Sequence, residues 1–124
     1  MATFTETTRA GEFILSDASG RESYDKVTIA AGGGLMVAGT VLGMVAATGK
    51  YKLHDNQTPA ADGTQNASAI LLEDCDATAD VNVTAVSRIA EVKGSLLTWR
   101  PTISGPNKIL GIAQLASNSH IIVR

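Results

Sequence analysis

The sequence predicts a mainly β, α+β domain of short strands with one late helix. Three observations carry this: repeated short apolar segments alternating with β-branched and polar residues, turn clusters between them, and a single stretch with helical spacing and caps. The 124 residues, 44% hydrophobic and with one cysteine, suit one core without a disulfide framework. Ten Lys and Arg against twelve Asp and Glu leave a net charge of −2, without the cationic excess that binding to nucleic-acid phosphates demands. No basic region followed by an apolar run opens the chain, so no secretory signal is expected.

Residues 1–12 read as an extended arm and 13–124 as a single β-rich domain. Thr3, Thr5, Thr7 and Thr8 favour extended backbone, and Phe4 is the only large apolar group before Phe13. Such a segment either frays or becomes a strand on a partner's sheet edge. Eleven extended residues reach about 36 Å. Phe13-Ile14-Leu15 opens the buried material, and the turn cluster Ser16 to Gly20 stops it. Val27-Thr28-Ile29 alternates as a strand before three consecutive glycines, Gly32 to Gly34. Leu35 to Val45 predicts short strands around a tight turn at Gly39 and Gly43, and Tyr51 to His54 another strand. Asp55 to Ser68 reads as a polar loop and Ala69 to Leu72 as a buried run. Val81 to Val92 predicts one continuous strand.

Ser104 is placed to cap a helix, with Pro106 in its first turn, Ile109, Ile112, Ala113 and Ala116 on its apolar face, and Asn118 as its stop. Gly111 weakens it by about 1 kcal/mol relative to Ala, so tertiary support is required. His120 to Val123 closes the chain as a strand.

Residues 27–49 carry no charge and contain a Gly39-to-Gly43 GxxxG spacing, which raises a membrane-associated oligomer as one alternative. Three consecutive glycines, few leucines and the lack of basic flanks favour strands instead. A second alternative is an accessory β domain of an enzyme. Asp74, Asp76, Thr78 and Asp80 alternate like the opening of a calcium loop, but Ala79 stands where that loop needs Gly and Ala85 where it needs Glu. A polar turn is the simpler reading. His54 and His120 have no ligand spacing, and Cys75 lies among carboxylates that disfavour a thiolate. No catalytic, cofactor or metal residue is assigned, and the expectation is a protein that is not an enzyme. Trp99 reads as a core residue at the strand-to-helix junction or as an interface anchor.

The ordered series Thr5 to Thr7, Ala10 to Leu15, Val37 to Gly43, Gly49-Lys50-Tyr51, Ala69 to Leu72 with Asp74 and Asp76 to Thr78 carries a resemblance. So do Arg88, Ala90 to Val92, Leu97-Thr98-Trp99 with Pro101, and Ile121 to Arg124. In these the chain resembles the head decoration protein family of tailed phages. Arg100 between Trp99 and Pro101, and Gly105, Pro106 and Gly111 in the helix, depart from the pattern. The resemblance implies a small β-clip-like fold, a homotrimer and no cofactor. It implies attachment to the major capsid protein at local three-fold sites, where the protein cements the shell against the pressure of packaged DNA. Contact with nucleic acid or membrane is not implied. It places the protein on the outer surface of the virion, and in the host cytoplasm before assembly. By the same resemblance Thr3, Phe4, Thr5, Glu6, Thr7, Thr8, Arg9 and Phe13 contact the capsid. Leu96, Leu97 and Trp99, with the helix face, are candidates for the trimer interface.

Overall fold

The structure is a computed structural model that describes residues 9–19, 22–56, 62–101 and 103–124. Its strands are β1 (Ile14–Asp17), β2 (Tyr24–Ile29), β3 (Gly34–Met36), β4 (Val41–Met44), β5 (Tyr51–Leu53), β6 (Ala67–Leu71), β7 (Cys75–Ala77), β8 (Val81–Val86), β9 (Ala90–Val92) and β10 (Ile121–Val123). One helix, α1 (Gly105–Ser119), precedes β10, and a 3-10 turn spans Gly94–Leu96. The expected class, mainly strands with a single C-terminal helix, is what the chain adopts.

Strands β2, β5, β4, β6 and β8 close a small barrel, β1, β9 and β10 form a second sheet, and β3 pairs with β7 in a two-stranded ribbon. Alternation sorts the strands of the barrel wall. Leu42, Ala69, Leu71, Val83 and Ala85 pack with Ile29 and Met36 in one core. Their neighbours Val41, Ile70 and Val86 turn to the other, with Phe13, Val92, Trp99, Leu115 and Ile121. Both faces of β6 are therefore covered, and its Ala69-Ile70-Leu71 reads as a continuous apolar run rather than an alternating one.

The uncharged stretch 27–49 is folded as the end of β2, all of β3 and β4, and the turns between them. Its GxxxG glycines are sites of close backbone approach. A Cβ at Gly39, where φ is +89°, would lie 2.7 Å from the Leu96 carbonyl oxygen, and one at Gly43 would lie 2.6 Å from that of Thr64. Among the described residues no helix is long and apolar enough to cross a membrane.

Four local expectations are corrected. The two strands within 35–45 do not pair with each other: β3 pairs with β7, while β4 lies between β5 and β6. The acidic segment 74–80 is not merely a turn, because its middle is strand β7, with Ala77 inward and Asp76 outward. The strand expected over 81–92 breaks after Val86, where Ile89 takes φ 50° and redirects the chain into the second sheet. The helix begins as expected, with Ser104 Oγ accepting from the Asn107 N–H at 3.3 Å and Pro106 in the first turn. It runs past Asn118, ending on His120 in the left-handed region. Its buried face is Gly111, Leu115 and Ser119, whereas Ile109 is 69% exposed and Ala113 is also outward. Gly111 sets this orientation: a Cβ there would meet Trp99 Cζ3 at 2.6 Å, so the bare backbone rests on the indole. The missing Cβ that weakens the isolated helix is what lets it dock.

Candidate functional site

The described chain starts at a turn that fastens it to the body. Arg9 N–H donates to Glu12 Oε2 at 2.8 Å, and Glu12 N–H returns a bond to the Arg9 carbonyl at 3.0 Å. Gly11, at φ +70°, donates from its N–H to the Leu72 carbonyl at 3.1 Å. Residues 9–12 thus sit on the domain. Thr3, Phe4, Thr5, Glu6, Thr7 and Thr8 lie outside the described residues.

Phe13 is fully buried in the core with Val92, Leu115 and Ile121. Its carbonyl accepts from Lys93 N–H at 2.7 Å. Phe13, which the sequence places at the start of the buried material, anchors the segment that leads into β1. Beyond it β1 pairs antiparallel with β9, with an irregularity between Ile14 and Ser16, and leaves Leu15, Ser16 and Asp17 exposed. Ser16 Oγ donates to Glu91 Oε2 at 2.9 Å, and Arg124 Nη2 reaches Glu91 Oε1 at 2.5 Å. Those two partners, Arg124 foremost, hold the Glu91 carboxyl below its usual range. Tyr24 donates its hydroxyl to Asp17, and burial together with that carboxylate pushes the phenol up to about 12. A band of side-chain bonds therefore runs across the outer face of the sheet that carries the chain's start.

The residues expected at a trimer contact occupy a different place. Leu96 and Leu97 are half-buried against the same core as Phe13. The segment is held by Thr98 N–H donating to the Gly39 carbonyl at 2.8 Å and Val41 N–H to the Thr98 carbonyl at 2.9 Å. Trp99 is a buried core residue under α1, and its ring meets His54 edge-on with centroids 5.8 Å apart. It serves as the platform for the helix. Next to it Arg100 Nη1 pairs with Asp55 Oδ1 at 3.1 Å.

Among the described residues no group of three or more His, Cys, Asp or Glu is arranged to hold a metal ion. Asp74 accepts from Ala38 N–H, Asp76 from Thr78, and Asp80 from Ala31 N–H, so each carboxylate has a local structural task. Burial, with Asp76, Asp74 and Glu73, pushes the Cys75 thiol up, away from the reactive thiolate.

His54 is buried, with Nε2 3.2 Å from the Gln65 carbonyl, and burial lowers its pKa. The fold therefore prefers the neutral ring, and the unfolded chain, with an ordinary value near about 6.5, takes up the proton first. Stability is expected to rise with pH between the lowered folded value and about 6.5, then level off. Melting temperatures from pH 5 to 7.5 check this: the slope present in the native protein should be absent in His54→Gln.

Residues 3–121 of the chain match the family described as bacteriophage lambda head decoration protein D. No curated protein matches the chain closely. A match over nearly the whole length, on a small strand-built domain whose first described residues are pinned to the body by a buried phenylalanine, gives the assignment: this chain belongs to the phage lambda head decoration protein D family, structural proteins of the virion that decorate the phage head.

Proposed function

We propose that the protein binds as a homotrimer to the major capsid protein, at local three-fold sites on the outside of the head. There it clamps neighbouring capsid subunits against the pressure of packaged DNA. Its N-terminal residues, Thr3 to Thr8, add to the capsid protein as a strand rooted at Arg9. The observation carrying this reading is that the match to a head decoration family spans residues 3–121, so that Thr3 to Thr8 fall within what the family shares. The segment before the domain thus belongs to what the family shares, and the domain itself supplies a rigid root for it. Its threonines suit extended pairing, and Phe4 offers one apolar anchor.

Magnitudes favour a trimer. Fixing one backbone residue costs about 1–2 kcal/mol, and each added ladder hydrogen bond returns about 0.5–1.5. A single strand is close to neutral before Phe4 burial adds about 1.5–3 kcal/mol. Three such strands on one body raise avidity by about 10²–10⁴, and a three-fold site demands three-fold closure. A structural role of this kind requires no cofactor and no catalytic centre.

Co-sedimentation with intact and expanded heads tests the proposal. The full chain should pellet with heads, and Phe4→Ala should weaken each attachment by roughly 10- to 150-fold, the equivalent of about 1.5–3 kcal/mol, with its melting temperature unchanged. Undiminished binding by Phe4→Ala would remove Phe4 from the contact, and failure of the full chain to bind heads would refute the function.

A further inference from the structure

Leu35 is 84% exposed, more than any other large apolar side chain among the described residues. It stands on β3 just after Gly32-Gly33-Gly34. A Cβ placed at Gly32 or Gly34 would find nothing within 4 Å, so the backbone around Leu35 is open to close approach. Beside it a cleft of about 580 Å³ runs between the glycine loop and Arg100-Pro101, with Ile29, Met36 and Leu53 along it. A second recess of about 240 Å³, for which Leu35 itself forms one wall with Met36, Leu53, Trp99 and Pro101, adjoins it. The molecule thus carries an apolar knob beside a cleft of mixed lining, apolar at Ile29, Met36 and Leu53 and charged at Lys52, Asp55 and Arg100.

Charge decides what fits. The ribbon that presents Leu35 is acidic: Glu73, Asp74 and Asp76 are all exposed, and Asp76 is the register partner of Leu35. The cleft carries Lys52, exposed, and the Arg100–Asp55 pair. Two ribbons facing each other across a two-fold axis would oppose like charges, whereas a ribbon entering the cleft of another copy brings carboxylates to Lys52. Such a contact is heterologous and closes into a ring when the rotation permits. Because knob and cleft adjoin, the axis of that ring passes close to Leu35.

We infer that the cleft is the docking site for Leu35 and the acidic β3–β7 ribbon of a second copy of this chain. The inference rests on the homotrimer proposed above and assigns its contact surface, away from Leu96 and Leu97. Inserting Leu35 removes an isolated apolar side chain from water, and the carboxylates beside it set the direction of assembly.

The test mixes ¹⁴N- and ¹⁵N-labelled protein, both concentrated and free and bound to expanded heads, and treats each sample with a zero-length carbodiimide cross-linker. Mass spectrometry should find mixed-label links joining Lys52 to Asp74 or Asp76. These should fall at least tenfold in Leu35→Asp and Lys52→Glu, both surface changes whose melting temperatures should match the parent. No mixed-label link in either sample overturns the inference. Persistence of the link in Leu35→Asp overturns it too, since the knob would then be dispensable. Pelleting with heads is scored separately on the same samples, so loss of head binding counts against the proposed function while the free-protein links still decide the contact.

Discussion

Phe13→Ala is expected to lower the unfolding free energy by about 3–5 kcal/mol, the usual cost of emptying a fully buried aromatic site. Against a typical total of about 5–15 kcal/mol this is a large share, and it corresponds to a fall in melting temperature of roughly 10–25 °C for a domain of this size. The ring packs with Val92, Leu115 and Ile121, so its loss opens a cavity where β9, β10 and α1 meet, and none of the three can close it without leaving another partner. Leu15→Ala, two residues on and 53% exposed, should change stability little. Urea unfolding of both variants separates the core role of Phe13 from the contact role first expected of it. A stable Phe13→Ala protein that no longer bound heads would restore the latter.

Removing residues 1–8 is expected to abolish head binding and leave the melting temperature where it was. The cut falls before Arg9 for a structural reason. The Arg9–Glu12 turn and the Gly11 bond to Leu72 belong to the body, and a deletion reaching residue 12 would disturb the seat of Phe13 and confuse binding with folding. In the proposed trimer three strands act together, so losing all of them forfeits the whole avidity gain of about 10²–10⁴ besides each strand's own contribution. Co-sedimentation of the truncated protein should therefore give a background pellet at concentrations that saturate heads with the full chain. Full binding by the truncated protein would show that the body alone carries the contact.

Where burial follows alternation or a continuous apolar run, the fold was legible. Strands β2, β6 and β8 are such segments, and so was the start of α1, whose Ser104 and Pro106 act locally. The helix face was not legible, because Gly111 and Ser119 are buried by what lies beneath them rather than by their own hydrophobicity. Gly111 lies on Trp99, and Ser119 Oγ donates to the Ser68 carbonyl at 2.8 Å. Strand β7 was hidden because a two-stranded ribbon with one face in water tolerates carboxylates on that face. The break at Ile89 was hidden because a β-branched residue at positive φ is held by its surroundings, here Ile89 N–H on the Ser119 carbonyl and the Ile89 carbonyl accepting from Ser23 Oγ. At the site, composition alone marked out the N-terminal segment. The run Phe13-Ile14-Leu15 was legible as the start of the buried material, and the structure buries Phe13 fully. The cleft beside Leu35 gathers residues from four separate stretches and had no local signature, though the glycine run beside a solitary leucine was its one visible trace.

The seating of β1 has a mechanical consequence. The hydrogen bonds of an antiparallel ladder lie across the strands, so tension drawn along the chain into Ile14–Asp17 strains all the bonds to β9 at once, in shear, instead of peeling them off singly. Phe13 behaves as a stopper at the mouth of that slot, too bulky to slip through without unpacking the core around it, and Glu91 rivets Ser16 to Arg124 across the three strands. A strand anchored this way is stiffest in the direction in which it is pulled.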